Sequence, residues 1–308
     1  MGWLQLAWGA ALQNRQAVDA IVCSVDSSQV SINASNSDVW PWQTYKSSNA
    51  TPPALLINST GEALYDGLLI FATENGLVPA TKEQAPFIMT DQGDLVWSGP
   101  EEVTYNMRVQ TLHDEAVITF WSGRGTAGAA EVAGHGYGQV VVMDTSYNII
   151  HQVCPQLNLT LPPGTSGKCN ADVHESYITP RNTMLVTAYN ITSVDLTTVG
   201  GPKDGWVLDI LAVEVNITSG DILFTWSALD HVPINGSHYR LAGAGTNTSN
   251  PWDFFHINAI QPVGENYLIN SRNFWSTYLV NPNGDILWEI KGDTGGDFGS
   301  LPEGGHFV

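Results

Sequence analysis

The sequence predicts an all-β protein, a β-propeller of four-stranded blades, and three observations predict it. A hairpin phrase recurs along the chain, other strand pairs fall between its copies, and the composition is one of turns and bulky anchors. The 308 residues include 30 Gly, 16 Pro and 11 Trp, and no amphipathic helix longer than a turn or two is legible.

Taken in order, residues 1–38 read as a leader or N-terminal segment: Met1 to Leu12 are apolar and Val18-Asp19-Ala20 resembles a cleavage site, although no basic segment precedes them. Residues 39–308 read as the propeller domain. The recurring phrase is a short apolar strand, an Asx-led turn, then a strand usually carrying an aromatic. It occupies residues 89–97, 143–151, 215–226 and 280–288. Turn Gly supplies the positive φ that a tight hairpin needs, and the Asx side chain closes the turn. Alternating Ile or Leu with a following Trp predicts one buried face. Between the phrases, residues 108–112 pair with 116–121, 176–178 with 183–189, and 257–260 with 266–271. Two hairpins alternate, giving four strands per unit, as in propeller blades. A sandwich also uses alternating hairpins and is the second architecture considered. The phrases account for about four blades and residues 304–308 read as mid-element, so a C-terminally truncated propeller is expected, because open strand edges invite aggregation.

Eleven Lys+Arg against 30 Asp+Glu give a net charge of −19. That field repels nucleic acid and anionic lipid, so neither is an expected partner. No apolar run is long enough for a membrane span. Acceptor sites of the form N-x-[ST] occur at Asn33, Asn49, Asn58, Asn158, Asn190, Asn216, Asn235 and Asn247, which predicts a secreted glycoprotein; Asn, Ser and Thr are also simply common at turns. A membrane anchor in a tail beyond the chain stays open. Cys154 and Cys169 bracket a Pro/Gly-rich loop and are expected to form a disulfide, leaving Cys23 in or just behind the leader.

The candidate chemistry lies with the scarce cations. His174 and His256 each stand just ahead of the first strand of a blade, with an Asp two or three residues earlier. Asn258 follows His256 on the same strand face, and Arg272 ends the partner strand, where it can meet His256 across the ladder. Two imidazoles and a guanidinium at a channel mouth would make an anion site in an acidic protein; turn histidines satisfied by backbone are the structural alternative. Trp252, Phe254, Phe255 and Trp275 could stack an aryl ring, against their alternative role as inter-blade core. Residues 162–169 only superficially resemble a phosphate loop, and the Gly-rich residues 134–138 read as a close-approach loop without a βαβ context. His231 reads as loop packing. No H-E-x-x-H, EF-hand or C-x-x-C spacing occurs, so neither a metal nor another cofactor is expected.

Several of these phrases together resemble the fungal branch of the arylsulfotransferase (ASST) family. They are residues 44–48 and 51–53, Thr119-Phe120-Trp121-Ser122-Gly123, Gly134-His135-Gly136-Tyr137-Gly138, Asp172-Val173-His174-Glu175, residues 229–233, residues 251–258 and Ser271-Arg272-Asn273. The resemblance implies a propeller of about six blades. It implies transfer of a sulfuryl group from an aryl sulfate to a phenol, independent of PAPS, through a sulfated histidine. Small-molecule aryl sulfates and phenols are then the partners; the alternative is a non-catalytic propeller, an inactive or truncated family member that binds an anionic or aromatic ligand. Carried over, His174 and His256 match channel histidines that hold the sulfate, and Arg272 matches the sulfate-binding arginine. The nucleophilic histidine is expected after a Gly-rich segment, past Val308; His306 stands in a different local setting and is not assigned that role.

Overall fold

The computed structural model describes residues 30–33, 39–57, 67–73, 80–125, 134–163, 169–292 and 295–298. Among them the fold is all-β, and every strand pairing is antiparallel between consecutive strands. A two-stranded ribbon, β1 (Val30–Asn33) with β2 (Trp42–Tyr45), comes first, so pairing begins on the leader side of residue 39. A three-stranded sheet follows, β3 (Leu68–Ala72), β4 (Pro86–Thr90) and β5 (Leu95–Ser98).

Three four-stranded meanders complete the described fold. The first is β6 (Thr104–Leu112), β7 (Glu115–Gly125), β8 (Gly136–Met143) and β9 (Ile149–Val153). The second is β10 (Ser176–Ile178), β11 (Thr183–Val194), β12 (Gly205–Asn216) and β13 (Ile222–Ser227). The third is β14 (Ile257–Val263), β15 (Asn266–Ser271), β16 (Ser276–Val280) and β17 (Ile286–Lys291). Four-stranded antiparallel sheets of this kind are propeller blades. The α-helix among the described residues is a single turn, α1 (Ala228–His231).

The recurring phrase is the last hairpin of each sheet. Its turns close with Thr90 N to Asp94 O at 2.9 Å, Asp144 N to Asn148 O at 3.0 Å, Asn216 N to Asp221 O at 2.9 Å and Asn281 N to Asp285 O at 2.9 Å. The side chains of Asp144, Asn216 and Asn281 each accept from the amide two residues on, as Asx turns do. All four hairpins carry a register shift at the same place, after Ile88, Val142, Glu214 and Leu279. The expected buried face is only partly realised. Val96, on the third and last strand of its sheet, and Ile149, Ile150, Leu223 and Leu287, on fourth strands, are exposed, because these strands lie at the outer edges of their sheets.

The first strands are tied to one another by polar side chains. Gln110 on β6 donates to Ser176 O and accepts from Ile178 N, both at 2.7 Å, closing a bridge to β10. Glu175 accepts from Ile260 N of β14 at 3.2 Å and pairs with Arg108 of β6 at 3.2 Å. Between the sheets lies an apolar core that includes Trp226, Phe254, Phe255, Tyr267 and Tyr278. Cys154 and Cys169 form the expected disulfide, joining the segment after β9 to the one before β10. Asn58, Cys23 and His306 lie outside the described residues.

Candidate functional site

The residues ahead of β8, β10 and β14 bring five ionisable side chains together. Their placement starts with glycine. A Cβ on Gly138 would stand 2.2 Å from Ser122 O and 2.7 Å from the Trp121 ring, and one on Gly136 would stand 2.8 Å from that ring. Only hydrogen fits there, so Trp121 lies against the start of β8. Its Nε1 donates to Ala171 O at 2.9 Å, which fixes the residue before Asp172. His135 is the residue just before β8 and is 1% exposed.

On the β10 side, Asp172 accepts from Gly136 N at 3.0 Å, Thr187 Oγ1 at 3.2 Å and His174 N at 3.3 Å. It also faces His174 Nδ1 at 2.5 Å. On the β14 side, Asp253 Oδ2 faces His256 Nδ1 at 2.5 Å. The backbone here is clamped by the Ser271-Arg272-Asn273 phrase. Arg272 N donates to His256 O at 3.0 Å, Asn273 Nδ2 to Asp253 O at 2.6 Å, and Ser271 Oγ to Phe255 O. That clamp holds His256 at φ 58°, a left-handed conformation costing about 1–3 kcal/mol in a residue with a side chain.

The two halves meet twice. His174 Nε2 and His256 Nε2 lie 3.1 Å apart, a hydrogen-bond distance that one shared proton satisfies. Behind them His135 spans both carboxylates, with Nδ1 at 3.2 Å from Asp172 Oδ1 and Nε2 at 3.2 Å from Asp253 Oδ2. Burial alone would lower the His135 pKa, but the two carboxylates override it and raise it to about 10. Burial would raise both carboxyls, yet the imidazoles hold Asp172 well below the usual range and Asp253 below it too. His256 is lowered, chiefly by burial, against the pull of Asp253. His135, Asp172 and His174 form one triplet with donor atoms within 4.8 Å, as do His135, Asp253 and His256. The ring-to-carboxylate contacts in both are at hydrogen-bond distance, so protons account for the spacing.

The structure thus brings His174 and His256 to equivalent blade positions and sets Arg272 beside His256 through the backbone. The Arg272 side chain is exposed, with Nε donating to Asn273 Oδ1 at 3.3 Å. Asn258 is half-buried at a register shift of β14, which breaks the strict alternation behind its expected shared face. Phe255 is fully buried against Trp226, Phe274 and Tyr278, committing its ring to the core. Trp252 is 2% exposed and lines, with Tyr239, Arg240 and Leu241, a cavity of about 450 Å³. His231 stacks on Trp226 and meets Ser227 O at 2.7 Å, the packing role expected of it. His135 was read as part of a close-approach loop and of a family-like phrase, without a site role, and the structure places it in the cluster.

The arrangement presents two adjacent imidazoles, braced from behind by carboxylates, at a point where His174 keeps some exposure. Such a pair can donate to an oxyanion and pass protons to a leaving group. Among curated proteins no relative matches the chain. The family model described as Arylsulfotransferase (ASST) matches residues 108–308, a span that contains all five residues of the cluster and Arg272. The chain belongs to the arylsulfotransferase (ASST) family.

Proposed function

We propose that this protein holds the sulfuryl group of an aryl sulfate at His174, His256 and Arg272 and passes it to a phenolic acceptor through a sulfohistidine, without PAPS. Family membership carries the coarser statement, an arylsulfotransferase-like function on small aryl substrates. The observation that supports the finer reading is the pair of Nε2 atoms 3.1 Å apart, each imidazole anchored through Nδ1 to a carboxylate. Sulfuryl transfer spreads negative charge over equatorial oxygens, so positioning and cationic donors carry most of the catalysis.

In the first half-reaction the S–O bond to the departing phenol breaks as an S–N bond forms on a histidine nitrogen. The departing phenolate takes its proton from a neighbouring imidazolium. In the second, the acceptor oxygen displaces that nitrogen from sulfur and its proton returns to an imidazole. We assign His174 and His256 to holding and proton transfer, and Arg272, whose backbone pairs with His256 and whose side chain is exposed, to supplying a cation. The acceptor sites fit a glycoprotein of the secretory route, since Asn49, Asn158, Asn216, Asn235 and Asn247 are exposed. Asn190 is only half-buried and hydrogen-bonds Thr160 N and Thr192 Oγ1.

The test is transfer from 4-nitrophenyl sulfate to phenol, followed by release of nitrophenolate. Turnover that falls at least a hundredfold in Arg272→Ala, with folding retained, is the expected result. Aryl sulfate bound but never cleaved would reduce the reading to a binding site without turnover, and unchanged sulfate affinity in Arg272→Ala would remove that residue from the site.

A further inference from the structure

His135 has an acceptor on each side. Asp172 and Asp253 are carboxylates whose pairing with imidazoles keeps them ionised, and an ionised carboxylate only accepts hydrogen bonds. Both ring nitrogens of His135 must therefore carry hydrogen, which makes it an imidazolium. Two carboxylates and one imidazolium leave one negative charge. That charge lies beside the imidazoles of His174 and His256, whose Nε2 atoms stand 3.1 Å apart.

The two carboxylates do not depend on His135 equally. Asp172 also accepts from Gly136 N, Thr187 Oγ1 and His174 N. Asp253 has two side-chain partners among the described residues, His135 and His256, both on Oδ2, and its Oδ1 is buried without one. The orientation of Asp253, and with it the Nδ1 anchor of His256, rests on His135. The groups facing His135 are Asp172, His174 and Tyr189 from the β10–β11 side and Asp253 and His256 from the β14 side.

We propose that His135 is a positioning residue, a fixed imidazolium bridging Asp172 and Asp253 that aims the Nε2 atoms of His174 and His256 at one oxyanion. The aim toward an oxyanion rests on the sulfate-binding reading above; the bridge itself does not. A residue of this kind touches no substrate, yet it sets a geometry that S–O chemistry demands to within about 0.5 Å.

Two measurements test it. Nitrogen-15 imidazole spectra of the wild-type chain should show one histidine, lost in His135→Gln, with both ring nitrogens protonated from pH 5 to pH 9. A neutral tautomer for His135 at pH 7 would overturn the proposal, whatever the protein binds. Calorimetry with inorganic sulfate should then show affinity reduced at least tenfold in His135→Gln, with the His256 resonances displaced more than those of His174. Wild-type affinity and an unchanged pH profile in a folded His135→Gln chain would leave His135 a core residue only. Should the wild type itself bind no sulfate, the oxyanion reading fails while the nitrogen spectra still decide the bridge. Should the variant not fold, the wild-type spectra still decide it: no histidine doubly protonated at pH 9 overturns the bridge, and one whose ring protons show contacts to the Tyr189 ring supports it.

Discussion

Each Nδ1 of His174 and His256 lies 2.5 Å from a carboxylate oxygen, so the hydrogen of each neutral ring belongs there. Their Nε2 atoms can then both donate only when both rings are charged, whereas at rest 3.1 Å fits one shared proton. Binding sulfate at both should take up about one proton, and affinity should fall as pH rises. Titration calorimetry in two buffers of different ionisation enthalpy measures this directly; an uptake of zero would mean that only one imidazole contacts the anion. His135 makes a second prediction. Its folded-state pKa of about 10 exceeds the ordinary 6.5, so its stabilising contribution is complete below about pH 6.5 and is lost as pH rises toward 10. Urea midpoints should decline over that window in the wild type and stay flatter in His135→Gln. His174, His256 and Arg272 could be proposed from the sequence because each stands at a strand end in an acidic chain. His135 could not, since Gly on both sides reads as backbone geometry. The signal that could have found it is its place directly ahead of β8, which matches the place of His256 ahead of β14.

At the scale of the element, the strand pairings follow the repeated phrase and its turn chemistry closely. The exposed last strands were misjudged because alternation in sequence cannot tell an outer strand from an inner one. The start of β8 shows how an element positions a site: Gly136 and Gly138 admit the Trp121 ring, and that ring pins Ala171 next to Asp172. Gly138→Ala would drive a methyl group against Ser122 O, a backbone atom that cannot yield cheaply. A loss of about 3 kcal/mol is expected, with sulfate affinity falling alongside. Chemical denaturation together with calorimetry checks both; a stable variant of full affinity would show that β8 has slack. The register of Asn258 illustrates the limit of reading faces from a strand, because a shift between Ile257 and Ala259 intervenes.

For the molecule as a whole, the ties between first strands draw three sheets around one cluster. Gln110, Glu175 and Arg108 bind β6, β10 and β14 to one another. The Cys154–Cys169 bridge spans 15 residues between two of these sheets and should contribute on the order of 3 kcal/mol in the chain-entropy model. Reduction should lower the unfolding midpoint accordingly, and no change on reduction would show that the loop is already ordered in the unfolded chain. A net charge of −19 makes local cations indispensable to any anion site in this protein. The most direct test is a calorimetric titration of sulfate into the wild type and into a His174→Asn, His256→Asn double variant. Saturable binding in the first and none in a folded second is the outcome the account predicts; equal binding in both would place the anion elsewhere.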